Sequence, residues 1–158
     1  ACGRHGLMGK QNMYDHSVRV PFLIAGPNVR PDTRIDTPIY LQDAHPTVLE
    51  LAGIPRGRHV DFKSLVPLLE GNATAHYDAI YGAYCATQRM IAADGYKLIV
   101  YPNAKRLRLY HVDQDPDEIE DLADRPKSAP IIRQLSGAMR RLQAEIHDPL
   151  DLSALLPD

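Results

Sequence analysis

Long apolar runs and an excess of charge of either sign are both missing from this sequence of 158 residues. No apolar stretch approaches the ~20 residues that a transmembrane helix needs, so the sequence predicts no membrane partner. Its 18 basic and 20 acidic side chains leave a formal net charge of −2. That balance gives no electrostatic reason to expect a nucleic acid or an anionic membrane surface as a partner.

Cysteine is also scarce, and the two that occur, Cys2 and Cys85, lie far apart in the chain. Two such residues define no disulfide framework, so a single bridge and a pair of free thiols are both open. Most of the seven histidines lack the i, i+4 spacing of a helical metal site. These are His45, His59, His76, His111 and His147.

One segment, His5-Gly6-Leu7-Met8-Gly9-Lys10, predicts a loop that holds a single cation in place. Gly6 and Gly9 permit tight backbone turns, and Lys10 offers a compact charge with three hydrogen-bond donors. This combination suits a small anion, although a solvated lysine with no function explains an isolated Gly-Lys pair equally well.

Further motifs follow this loop in a fixed order along almost the whole chain. They are Tyr14-Asp15, Arg19-Val20-Pro21, Asp43-Ala44-His45-Pro46-Thr47, residues 62–71, Tyr96-Lys97-Leu98, Leu109-Tyr110 and Asp115-Pro116-Asp117-Glu118. Together they resemble the type I sulfatases of the alkaline-phosphatase superfamily. Each motif alone is common, and the order is what makes the resemblance specific.

The resemblance implies hydrolysis of sulfate esters or sulfamates by a formylglycine nucleophile and a divalent cation, Ca2+ or Mg2+. In this family the lysine of the loop motif contacts the sulfate, which makes Lys10 the catalytic candidate. His5 and His16 flank it and are candidate substrate-binding residues, with a loop-fixing hydrogen bond as the alternative for His5. The implied partner is a sulfated small molecule or sulfated glycan, and the implied location is periplasmic, extracellular or lysosomal.

Two family features are not found. Neither Cys2 nor Cys85 lies in the Cys/Ser-x-Pro-x-Arg motif that yields formylglycine, and the acidic metal ligands of the family precede the loop motif. We therefore expect the C-terminal portion of a sulfatase, with no metal ligand of its own and no activity in isolation. A non-catalytic folded remnant or interaction module is one alternative, and part of a phosphoester or phosphonate hydrolase is another.

The expected fold class is α/β, alkaline-phosphatase-like, in two parts. Residues 1–75 are predicted to be the C-terminal part of the catalytic α/β domain, with helices near 43–52 and 65–69. The apolar run of residues 20–25 predicts a strand buried on both faces. Without neighbouring strands it would favour self-association through its edge, or disorder in much of residues 1–40.

Residues 76–158 are predicted to form a small α+β subdomain. Short alternating segments near 79–84, 88–92, 97–101 and 107–111 indicate four antiparallel strands, with a hairpin turn at Asp94-Gly95. Apolar residues three and four apart predict a helix over 130–147 that covers one face of the sheet. The acidic run at 112–124 lacks the ligand spacing of a calcium loop, and a solvated turn is the favoured interpretation.

Overall fold

Four antiparallel strands in the order β1-β2-β3-β4 form the sheet of a computed structural model that describes residues 2–157. The strands are β1 (Ile80–Tyr84), β2 (Gln88–Ala93), β3 (Tyr96–Tyr101) and β4 (Arg106–His111). Each pairs with its neighbour along the chain, as the alternating segments predicted. The β2–β3 turn uses Asp94 at φ 51° and Gly95 at φ 76°, the left-handed backbone that Asp-Gly favours.

Helix α4 (Ala129–Glu145) covers one face of this sheet and confirms the predicted helix. Leu135 and Met139 are buried in a core formed with Ile91 and Leu98 of the sheet. Because these two helical positions are four apart, their side chains lie on the same stripe of α4. The stripe ends before Ile146, whose side chain is exposed.

The opposite face of the sheet is covered by the segment that precedes residue 20. Met13 and Tyr14 are buried against Met90, Ile99 and Tyr110. Since side chains alternate between the faces of a strand, Met90 and Ile99 point away from α4 while their neighbours point toward it. The sheet is therefore buried on both faces.

The domain division differs from the predicted one. Residues up to Arg19 form one compact unit with those from Ala79 onward, and Val20–Asp78 form a second unit. The prediction had joined residues 1–75, but the burial of Met13 and Tyr14 in the sheet places the first segment with the second subdomain. Ala1 and Asp158 lie outside the described residues.

In the second unit, helices α2 (Ala44–Leu51) and α3 (Val66–Leu69) confirm the two predicted helices, and α1 (Asp15–Val18) is a single turn of the first unit. Residues 20–25 form no strand, which corrects the prediction. Their backbone finds no neighbouring strand to pair with among the described residues of this unit, and Leu23 is 93% exposed. An apolar run alone cannot supply the partner that a strand requires.

Asp43 organises the second unit from a fully buried position. Its carboxylate accepts hydrogen bonds from the Tyr40 N–H at 2.8 Å, the Lys63 N–H at 3.1 Å and the Tyr77 hydroxyl at 2.7 Å. Thr47 adds a link, because its hydroxyl oxygen accepts the Leu65 N–H at 2.8 Å. The Asp-x-x-Pro-Thr motif thus joins α2 to the loops around it.

Both cysteines, Cys2 and Cys85, are exposed free thiols, which decides between the alternatives left open by the sequence. In the part of the chain that the structure describes, no helix has the length and apolarity to cross a membrane.

A buried ion pair joins the sheet to the C-terminal segment in the first unit. The Arg89 guanidinium donates two hydrogen bonds to Asp148, at 2.5 and 2.9 Å, and the Tyr81 hydroxyl donates a third at 2.6 Å. The Arg89 hydrogen bonds hold the pKa of the Asp148 carboxyl well below its usual range, with smaller help from Tyr81. Arg89 therefore belongs to the structural core.

We predict that Asp148→Asn lowers the free energy of unfolding by about 3 kcal/mol at pH 7, since it leaves the buried Arg89 charge without a carboxylate. The Asp148 carboxyl has a lower pKa in the folded state than the value of about 3.9 expected in the unfolded state. Its charge therefore stabilises the fold at pH values above about 3.9, and this stabilisation decreases as the pH falls from that value toward the folded-state pKa. Urea unfolding should therefore give a difference in the free energy of unfolding between wild type and variant that is about 1 kcal/mol smaller at pH 3 than at pH 7. An equal difference at both pH values would contradict this assignment.

Candidate functional site

The candidate site begins with a closed loop over residues 2–8. Cys2 and Met8 form an isolated antiparallel bridge, and the Gly3 N–H donates to the Leu7 carbonyl at 2.9 Å. Gly6 at φ 70° and Gly9 at φ 80° both use left-handed backbone, as the loop motif predicted. The glycines thus let the chain reverse twice before it reaches Lys10.

Lys10 is exposed directly after this loop. Within residues 2–157 its ammonium takes part in no ion pair, whereas most other cations near the loop are paired. Such an ammonium is available to an external anion.

The residues that directly follow Lys10 contact the sheet. The Gln11 carbonyl accepts a hydrogen bond from the Gln88 side-chain amide at 3.2 Å, at the start of β2. Met13 then packs over Gly82, where an added Cβ would lie 3.1 Å from the Met13 sulfur and 2.9 Å from the Met90 methyl carbon. The absence of a side chain at Gly82 therefore lets the segment approach the sheet closely.

His5, Tyr14 and His16 come together in a group of three rings. The His5 ring stacks on the Tyr14 ring at 4.0 Å between centroids, and the His5 and His16 rings lie 5.6 Å apart. Nε2 of His5 and both ring nitrogens of His16 are buried and find no hydrogen-bond partner among residues 2–157. Buried polar atoms of native proteins are normally paired, so these nitrogens can take a partner from outside residues 2–157, such as water or a polar ligand.

The pKa of His16 is lowered, first by burial and then by nearby positive groups including His5, Arg4 and Lys97. A lowered pKa leaves the imidazole neutral at pH 7, so one ring nitrogen donates a hydrogen bond and the other accepts one. His16 can therefore offer hydrogen bonds without a charge of its own.

A buried cluster of charges lies beneath this segment, and sequence reasoning missed it. Lys97 is only 2% exposed, and its ammonium donates to Glu118 Oε1 at 2.7 Å and to Asp15 Oδ1. Glu118 Oε2 accepts the Asp15 backbone N–H at 2.6 Å. Arg19 lies 3.6 Å from the other Asp15 oxygen. Because a lysine inside an apolar strand needs a buried counter-charge, Tyr96-Lys97-Leu98 was a signal that could have revealed the cluster.

The acidic run at 112–124 is thus only in part a solvated turn. Glu118 is buried and belongs to the Lys97 cluster, which corrects that interpretation. Asp117 pairs with Arg4 of the loop, and Asp121 pairs with Arg108 at 2.9 Å. Among residues 2–157, no three His, Cys, Asp or Glu side chains come close enough to hold a metal ion.

Comparison with known proteins matches the chain to proteins named as sulfatases. Residues 3–145 match the family model described as N-sulphoglucosamine sulphohydrolase, C-terminal. A choline-sulfatase of Rhizobium meliloti is 32% identical over 147 residues, covering 90% of this chain and 28% of the relative. Arylsulfatase K of Xenopus laevis is 28% identical over 134 residues, covering 75% of this chain and 25% of the relative.

The fold is shared with solved structures of the same kind. A Bacteroides thetaiotaomicron protein, solved as a candidate sulfatase, has a TM-score of 0.78 at 24% identity, covering 90% of this chain and 35% of that one. The phosphonate monoester hydrolase of Silicibacter pomeroyi has a TM-score of 0.74 at 21% identity, and the match covers 87% of this chain and 31% of the hydrolase. The chain spans about a quarter to a third of the length of these relatives and structures.

Proposed function

The chain belongs to the sulfatases, and from that premise we propose that it forms the C-terminal part of an enzyme that hydrolyses sulfate esters or sulfamates. The observation that carries this proposal is the family match over residues 3–145, which includes the loop with Lys10, exposed and in no ion pair with residues 2–157. The proposed substrate is a sulfated small molecule or sulfated glycan. The proposed location is periplasmic, extracellular or lysosomal.

Lys10 acts in this proposal as an electrostatic clamp on the sulfate. Its ammonium offsets the negative charge on the sulfate oxygens, including charge that develops when the ester bond breaks. Removing one such donor from an active site costs about 10²–10³ in kcat. The loop supports this role because its two glycines and its attachment to Gln88 hold the backbone around Lys10.

His5 and His16 bind the substrate beside the sulfate in this proposal. Their buried nitrogens, which have no hydrogen-bond partner among residues 2–157, can donate to and accept from polar groups of the bound molecule. His16 is neutral at pH 7 because burial lowers its pKa, so its contribution is hydrogen bonding and not charge.

The formylglycine nucleophile and the Ca2+ or Mg2+ ion of this proposal are supplied by the rest of a complete enzyme. Residues 2–157 do not fit such a metal, because no three of their His, Cys, Asp or Glu side chains converge. Cys2 and Cys85 also lack the proline and arginine that formylglycine formation requires. The chemistry assigned to this chain therefore rests on its own loop residues.

The first test is binding of the anion. We predict that ¹⁵N-labelled chain titrated with sodium sulfate at constant ionic strength shows shifts at the Gly6 and Gly9 amides. Lys10→Gln should weaken this binding about tenfold, the loss expected when a charge-assisted hydrogen bond of about 1.4 kcal/mol is removed. Lys127→Gln is the matched control, since Lys127 is an exposed lysine next to α4 on the other face of the sheet.

Equal sulfate affinity of wild type and Lys10→Gln would contradict the assignment of Lys10. The same titration with phenyl sulfate and phenyl phosphate separates the alternative enzymes. Tighter binding of phenyl sulfate supports the sulfatase, and tighter binding of phenyl phosphate favours the phosphoester or phosphonate hydrolase. No shift with any of these anions would favour the non-catalytic module.

The second test concerns turnover. We predict that the purified 158-residue chain does not hydrolyse 4-nitrophenyl sulfate, with or without added Ca2+. The reason is that no described group of side chains can hold the metal and neither cysteine lies in the nucleophile motif. Colorimetric assay of protein from a host strain lacking its own sulfatases measures this, and calcium-dependent turnover lost in Lys10→Ala would overturn it.

A further inference from the structure

We propose that Lys97 is a positioning residue for the anion site, because it holds, through Asp15, the segment that carries Lys10, His5 and His16. This inference rests on the proposed function and adds to it a residue that does not touch the substrate. Lys97 lies in β3, on the face of the sheet that the segment covers, and its ammonium is buried.

The cluster joins three stretches of chain that are distant in sequence. Asp15 comes from the loop segment, Lys97 from the sheet, and Glu118 from the turn after β4. A buried ammonium is costly unless carboxylates surround it, so the lysine requires both partners to stay in place. The position of the loop segment is thereby linked to a rigid strand.

The contacts of the Lys97 cluster constrain the orientation of α1 as well as its distance from the sheet. Asp15 is the first residue of α1, and it is held twice: its side chain by Lys97, and its backbone N–H by Glu118 Oε2 at 2.6 Å. Two contacts to one residue fix the orientation of the helical turn. His16 follows directly, and Tyr14 precedes it and stacks on His5 at 4.0 Å.

The loop segment could be attached to the sheet without the charges of Lys97, Asp15 and Glu118. Met13 and Tyr14 already bury apolar surface against Met90 and Ile99. A buried ion cluster is often replaced by apolar side chains without loss of stability, so stability does not account for Lys97. Directional bonds account for it better, because apolar packing would let α1 slide or rotate on the sheet and move the histidines.

The test uses the neutral triple variant Lys97→Met/Asp15→Asn/Glu118→Gln in the full 158-residue chain. It removes all three charges together and leaves no buried ion unpaired, since Arg19, which loses Asp15, is exposed; the sheet and α4 should therefore keep their amide spectrum. We expect the affinity for sodium sulfate to fall at least about tenfold, and the nuclear Overhauser contacts between the His5 and Tyr14 rings to disappear.

Asp148→Asn is the matched control, since it breaks a buried ion pair in the same unit without touching the loop segment. It should lower stability and leave sulfate affinity unchanged. If the triple variant does not fold, Glu118→Gln replaces it. This change keeps the Lys97–Asp15 pair, removes the charge of the second carboxylate and leaves a single acceptor oxygen for either Lys97 or the Asp15 N–H. A loss of about threefold in sulfate affinity, with weakened ring contacts, is then expected.

The positioning role would be overturned if the folded triple variant kept the wild-type affinity for sulfate and the contacts between the His5 and Tyr14 rings. The same result in Glu118→Gln, if that variant replaces it, would also overturn it. The proposed function would still stand if Lys10→Gln weakens sulfate binding in the same experiment. If neither Lys10→Gln nor the cluster variants change sulfate binding, the proposed function fails together with this inference.

Discussion

The buried ammonium of Lys97 is the contact on which the candidate site depends. It lies between the carboxylates of Asp15 and Glu118, and no part of this cluster is near another part in sequence. Because a buried charge tolerates little separation from its partners, the cluster makes the sheet, the acidic turn and the loop segment a single arrangement. Three motifs that seemed independent in the sequence are thus parts of one interaction.

The sheet serves two purposes, one on each face. Toward α4 it forms an ordinary apolar core around Leu98 and Leu135, with the Arg89–Asp148 pair at its edge. Toward the loop segment it presents Met90, Ile99 and the Lys97 cluster. The first face stabilises the unit, and the second face sets the place from which Lys10 reaches solvent. A small sheet can in this way orient the loop that carries Lys10.

Local pattern was sufficient to predict the strands, the Asp94-Gly95 turn and helix α4, since alternation and the 3.6-residue period depend only on neighbouring residues. What covers the second face is a long-range property, and the sequence did not show that Met13 and Tyr14 do so. For the same reason the prediction of a strand at 20–25 is wrong: the run is apolar, but no strand pairs with it among the described residues. Glu118 was hidden among exposed acids, because composition does not show which carboxylate is buried.

The central claim is that the loop, held on the sheet by Lys97, presents Lys10 to a sulfate. A crystal structure of the chain grown with a sulfate ester tests this most directly. The account predicts that Lys10 Nζ lies at hydrogen-bond distance, about 2.7–2.9 Å, from a sulfate oxygen, with Lys97 still between Asp15 and Glu118. An ester bound elsewhere, or a loop detached from the sheet while Lys10 still holds the sulfate, would contradict it.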